Sequence, residues 1–175
     1  MTVPDYVIVS GPPGSGKTTL ARPLAARLGL PLFAKDTVKE ALHDALGGSG
    51  VDASKSLGVA AIGTVMALAK ENGRGVLENA WRRTFALHDL DGLDGAIVEV
   101  FCAVDPELAR DRFVERIPQR HASHPDVERL DDAELWSEEY TLPIDGGWPV
   151  IRVDTSTPVD IEDLVSTISR LSARW

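Results

Sequence analysis

The stretch that decides the reading runs from Tyr6 to Gly29, YVIVSGPPGSGKTTLARPLAARLG. Its centre, GPPGSGKT at Gly11–Thr18, fits the phosphate-binding pattern G-x-x-x-x-G-K-[ST]. The pattern is short, so its flanks must support it. The apolar run Tyr6–Ser10 predicts a strand before it, and the segment closed by Gly29 predicts a helix after it, which is the arrangement a phosphate cradle needs. Gly14 and Gly16 permit a tight turn in which successive N–H groups converge on one point. The following helix adds the positive end of its dipole. Pro12 and Pro13 carry no N–H, so the donors are expected from Gly14, Ser15, Gly16, Lys17 and Thr18, while the prolines stiffen the loop entry. Lys17 is expected on the β- and γ-phosphates and the Thr18 hydroxyl on Mg²⁺. Gly11, Pro13 and Thr19 complete the nucleotide-binding stretch. Pro23 falls inside the predicted helix and is expected to kink it or cost about 3 kcal/mol.

Working outward, the 175 residues suit one domain, 1–175, rather than two. The formal charge of −9 argues against nucleic acid as the main partner, because neutralising phosphates takes a basic surface. The single cysteine, Cys102, excludes an intramolecular disulfide and sits in the apolar run AIVEVFCAV, where a buried spectator is expected. The start, MTVPDYVIVSG, has no basic region and too short an apolar run for a signal or anchor. A soluble, cytoplasmic domain without a membrane partner is the expectation.

Further apolar, β-branched runs predict strands at Pro31–Ala34, Val76–Asn79, Ala96–Val104 and Val150–Val153. They are near-continuously apolar, as strands buried on both faces of a parallel sheet should be. Helix-like segments separate them, with ends at Gly29, at Gly47-Gly48 and at Gly73, and with Asp105-Pro106 opening a later one. This βαβα rhythm argues for an α/β domain around a parallel sheet.

Ligands of open α/β sheets bind at the carboxyl ends of the strands. Asp36, just after the second strand, should therefore share an edge with the phosphate loop. It could cap the next helix, but Thr37 and Glu40 form a capping box of their own, which would leave the Asp36 carboxylate free. Such a carboxylate could accept the proton of an attacking hydroxyl, or bind Mg²⁺ through water. Glu78, ending the third strand, could orient water around the metal, hold the acceptor, or simply bond a neighbouring helix. Arg82 could face the acceptor pocket or solvent. Arg116 and Arg120 stand four apart where a helix breaks at Pro118 and enters QRHASHPD, a loop able to close over a triphosphate. His121 and His124 lack a cysteine or carboxylate at metal-ligand spacing, so no structural zinc is expected there.

Taken together, GPPGSGKTT, Lys35-Asp36, the lid-like RIPQRHASHP and VDTSTP before the last helix resemble the P-loop kinases related to nucleoside monophosphate kinases. The closer resemblance is to the group with gluconate and shikimate kinases, chloramphenicol phosphotransferase, zeta toxins and polynucleotide 5′-kinases. The resemblance implies a three-layer α/β/α sandwich, a five-stranded parallel sheet of order 2-3-1-4-5, and a lid at about 117–127. It implies ATP and Mg²⁺ as cofactors, with Asp36 as base for the acceptor hydroxyl, Arg116 stacked on adenine and Arg120 on phosphates. Thr155, Ser156, Thr157 and Pro158 would flank the base. Glu78 stands where the relatives often have Asp, and Lys39 where some have Arg, keeping the charge without the bidentate fork. The function expected is phosphorylation of a hydroxyl on a small molecule, held near Asp36, Lys39, Glu78 and Arg82, over the segment 39–68 between the second and third strands. The rivals are a polynucleotide or nucleoside 5′-hydroxyl kinase, and an ATP-binding switch without an acceptor.

Overall fold

The structure, a computed structural model, describes residues 3–173. Five strands, β1 (Tyr6–Ser10), β2 (Leu32–Ala34), β3 (Gly75–Glu78), β4 (Ile97–Ala103) and β5 (Val150–Asp154), form one sheet of order β2-β3-β1-β4-β5. Every pairing is parallel. The α-helices are α1 (Lys17–Leu28), α2 (Lys35–Leu46), α3 (Gly50–Asn72), α4 (Arg83–Asp89), α5 (Pro106–Arg116), α6 (Glu138–Thr141) and α7 (Ile161–Ser172). The order and the parallel pairing are those the resemblance implies.

Continuous apolarity in β1 follows from burial on both faces. Val7 and Val9 meet Leu20, Leu24 and Leu28 of α1 and Leu164, Val165 and Ile168 of α7. Tyr6 and Ile8 point the other way, onto Val65, Met66 and Ala69 of α3 and Ala86 of α4. The alternation is the period of two that a pleated strand imposes. β5 departs from the expectation: its residues alternate between exposed and half-buried, because it is an edge strand with one neighbour.

α3 is long and apolar enough to cross a membrane by length and composition. In the fold it packs on α2, β2, β3 and α4 and buries Leu57, Ala61, Val65, Met66 and Ala69. α1 continues through Pro23, which leaves the carbonyl four residues back without the N–H it would otherwise accept.

The register sets the site. Val9 lies beside Glu78 in β3, and Ala34 of β2 lies beside the same Glu78. The phosphate loop, Asp36 and Glu78 therefore share the carboxyl edge of the sheet.

Candidate active site

The loop from Gly11 to Gly16 is shaped by close approaches. At Gly14, φ is +75°, and a Cβ would stand 2.0 Å from the Ala109 carbonyl oxygen of α5. At Gly11, φ is +136°, and a Cβ would meet the Cys102 carbonyl oxygen at 2.7 Å. Only glycine allows β4 and α5 to close on the loop in this way. Gly16 then caps α1, whose first N–H groups, from Lys17 onward, have no acceptor within the helix and face outward. The Ser15 N–H is less available than expected, since it donates to the Pro12 carbonyl at 3.2 Å. The Ser15 hydroxyl is buried without a partner among the described residues.

Lys17 is buried and donates to the Pro12 carbonyl at 2.7 Å. Burial pushes its ammonium down, while Glu78 pulls it back up. Thr18 donates to a Glu78 carboxylate oxygen at 3.3 Å. Burial raises the Glu78 carboxyl, opposed chiefly by Lys17. A hydroxyl and a carboxylate side by side beside a buried ammonium suit a hard cation and an anionic phosphate. These residues fit MgATP.

A chamber of about 370 Å³ opens over this wall. Lys17, Lys35, Lys39, Arg112, Arg116, Arg120 and Arg129 line it against the acids Asp36, Glu78 and Asp126. A chain of net charge −9 thus concentrates cations in one cavity, which points to a ligand bearing several negative charges.

Asp36 lines the same chamber from the first turn of α2. It accepts from Lys35 Nζ at 3.1 Å and from Arg120 Nη2 at 3.1 Å. Its side chain remains 42% accessible through the chamber, enough for a ligand hydroxyl to reach it. Burial alone would raise its carboxyl; Lys35, His124 and Arg120 outweigh that and hold it well below the usual carboxylate range. His124 is itself pushed down to about 3, chiefly by burial. At neutral pH it is therefore uncharged, and the cations acting on Asp36 are Lys35 and Arg120. The expected capping box does not form. α2 starts at Lys35, three residues earlier than that box requires, and Glu40 turns to His124 Nε2 at 3.2 Å.

Lys39, the one residue of the segment 39–68 on the chamber wall, is buried and donates to Ser54 Oγ at 2.6 Å. Among the described residues it has no ion-pair partner. The remainder of that segment stands behind the wall, so it shapes the acceptor side only through α2 and α3.

A second chamber of about 480 Å³ lies beyond Gly16 and Thr19, lined by Leu20, Pro23, Arg112, Thr155, Ser156, Thr157, Pro158 and Val159. Arg112 Nη1 donates to the Thr155 carbonyl at 3.0 Å and Nη2 to the Ser156 carbonyl at 3.2 Å, pinning that loop. Thr155 is anchored by its own hydroxyl to the Ala103 carbonyl at 2.9 Å. A flat apolar base fits here, joined through Gly16 and Thr19 to the phosphate side.

Two of the expected site residues stand elsewhere than expected. Arg116 lines the first chamber and not the second; it stands one helical turn, about 6 Å, beyond Arg112 along α5. The arginine against the second chamber is Arg112. Arg82 lies outside both chambers, paired with Glu134 and Glu139 and stacked 4.9 Å over the Phe85 ring. Arg120 holds Asp126 at 3.0 Å as well as Asp36. The connection expected as a lid at 117–127 continues through short 3-10 turns and α6 toward β5, and contributes Arg129 and Tyr140 to the chamber. Neither residue carries a sequence signal, because that stretch has no motif spacing. Cys102 is buried, and burial pushes its thiol up to about 12, so it is an inert core residue.

Fold, loop and chambers define a P-loop kinase of the nucleoside-monophosphate-kinase-like group. The chain belongs to the AAA domain family whose model matches residues 7–139. It is similar over 97% of its length to a "putative kinase" from Chloroflexus aurantiacus J-10-fl, at 29% identity and TM-score 0.83, covering 98% of that chain. A gluconokinase from Sinorhizobium meliloti 1021 shares the fold at 18% identity and TM-score 0.60, with 99% of this chain and 94% of that one covered. Shikimate kinase from Aquifex aeolicus VF5 shares it at 18% identity and TM-score 0.56, with 97% and 96% covered. No curated protein matches the sequence.

Proposed function

We propose that the protein transfers the terminal phosphoryl group of MgATP to a hydroxyl of a small molecule that also carries an anionic group. The observation that carries this reading is Asp36, whose accessible carboxylate lines the same cationic chamber as Lys17 and Thr18. Bound MgATP supplies the phosphoryl group and the charge of the metal. Lys17 and the amides opening α1 hold the phosphates and take up charge as it shifts toward the leaving oxygen. Thr18 offers its hydroxyl to the metal, with Glu78 beside it. The apolar second chamber, with the loop Thr155–Pro158 fixed by Arg112, takes the adenine.

Asp36 accepts the proton of the acceptor hydroxyl. A carboxyl held so low is a weak base while Lys35 and Arg120 bond it. As Arg120 turns to phosphate, Asp36 loses one of those cations and becomes more basic. A loose transition state asks little of the base beyond position, since the proton leaves late. The anionic group of the acceptor is assigned to Lys39, a buried ammonium on the chamber wall without an ion-pair partner among the described residues.

ADP release with Asp36→Asn tests the assignment. Transfer should fall by roughly 10²–10⁴-fold while nucleotide binding persists. Full transfer by that variant would remove Asp36 from the mechanism.

A further inference from the structure

Away from both chambers, His43 and Asp44 at the end of α2 meet His121 of the lid segment. Their ligand atoms all lie within 4.8 Å of one another. The His43 ring is set up for it. His43 Nε2 lies 2.9 Å from the Gly48 carbonyl, so it carries the proton and leaves the lone pair on Nδ1. That Nδ1 is buried, has no hydrogen-bond partner among the described residues, and stands 3.9 Å from Asp44 Oδ1. A histidine that ligates a metal through one nitrogen and donates to a carbonyl from the other shows this same arrangement. His121 Nε2 lies 3.0 Å from the same Asp44 oxygen. Its Nδ1 accepts from the Ser123 N–H at 3.2 Å and lies 3.1 Å from Ser123 Oγ, so the ring proton sits on Nε2 toward Asp44. Ligation through Nε2 exchanges that proton for one on Nδ1, where Ser123 Oγ can accept the hydrogen bond. The two rings meet edge to face with centroids 5.1 Å apart.

We propose that His43, Asp44 and His121 form a site for a divalent transition-metal ion of the zinc class, which fastens the lid segment to α2. Two imidazoles and a carboxylate are borderline ligands that prefer such ions to Mg²⁺. Tetrahedral ligands about 2.0–2.1 Å from zinc stand roughly 3.3 Å apart, so the side chains close by about an ångström and water takes the fourth position. Asp44 and His121 stand 77 positions apart in the sequence. His121 follows Arg120 directly, so an ion here also fixes the arginine that bonds Asp36.

The test is a titration of chelator-treated protein, free of nucleotide, with Co²⁺ followed by visible absorption and with Zn²⁺ by calorimetry. One ion per chain at micromolar affinity is expected, with the absorption of four-coordinate cobalt. His43→Ala and His121→Ala should each weaken binding by more than tenfold, and His88→Ala should leave it unchanged. Asp44, with its side chain 70% exposed, offers a variant that spares the fold; Asp44→Ala should weaken binding roughly tenfold or more. Zn²⁺ should slow amide hydrogen exchange across residues 120–124. Absence of binding at millimolar metal, binding that survives in Asp44→Ala and His121→Ala, or unchanged exchange in the loaded protein would overturn the proposal. None of these readouts depends on kinase activity.

Discussion

Lys39→Met should stabilise the protein while impairing acceptor use. Burial, with Lys35 and Arg120 adding repulsion, pushes the Lys39 ammonium from 10.5 down to about 8. At about 1.4 kcal/mol per pH unit, keeping it charged costs the native state roughly 3 kcal/mol at neutral pH. The residue is only 5% exposed, but the chamber brings solvent to the ammonium and screens part of that figure. Methionine keeps the stem length, yet Ser54 loses its donor, at about 1 kcal/mol. The net gain is about 1–2 kcal/mol, or roughly 2–8 °C in Tm for a domain of this size. The pH dependence separates this cause from better packing. Below pH 8 both folded and unfolded states hold the proton, and the full penalty applies. Above 8 the native state sheds it while the unfolded state keeps it up to 10.5, so wild-type stability climbs and the advantage of the variant shrinks. Thermal melts of both proteins from pH 6 to pH 10, followed by circular dichroism, read this directly. A Tm equal to or below wild type at pH 7, or a difference constant across the series, would refute the reasoning. The companion expectation is a raised KM for the acceptor with nucleotide binding unchanged.

Other outcomes follow from the same geometry. Gly14→Ala drives a Cβ to 2.0 Å from the Ala109 carbonyl oxygen at a positive φ, so it should lower Tm and abolish nucleotide binding together, by melts and calorimetry. Arg112→Ala frees the Thr155–Ser156 loop and should raise the KM for ATP about tenfold or more with a smaller change in kcat. Because Asp36 is held well below the usual carboxylate range, kcat/KM should show no acid limb from it between pH 5 and 7. As Lys39 discharges near 8, the KM for an anionic acceptor should rise in alkali. Arg82→Ala should leave all kinetic constants near wild type, since its partners Glu134 and Glu139 lie outside the chambers.

The features readable from sequence are those fixed by local spacing. Glycines at 11, 14 and 16 between a strand and a helix announce the loop, because backbone sterics there admit little else. β1 reads as a strand buried on both faces because each of its five residues is buried. Strand order was not in the pattern; it came with the resemblance, and the register of β3 between β1 and β2 bears it out. Helical phase explains what was harder to read. Arg112 and Arg116 differ by one turn, and which of them meets the loop at 155 depends on how α5 docks across the sheet. The start of α2 was misplaced because Thr37-x-x-Glu40 is a good local cap, whereas tertiary packing begins the helix at Lys35. The cluster at His43, Asp44 and His121 has no sequence spacing at all, since two distant segments bring it together. Arg82 illustrates the converse, an arginine well placed along the chain whose side chain is claimed by two distant glutamates.

The most direct test of the central claim is ADP release from MgATP with and without pooled hydroxylated acceptors, with the products identified by mass spectrometry. The pools are sugar acids and other hydroxy acids, neutral polyols, hydroxylated antibiotics, nucleosides, nucleotide sugars, and a 5′-hydroxyl oligonucleotide. The account predicts stimulation by an anionic hydroxylated pool, with one phosphorylated product formed per ADP and none without Mg²⁺. Slow ADP release that no pool changes, with ATP binding intact, would contradict it and point to a nucleotide-dependent switch.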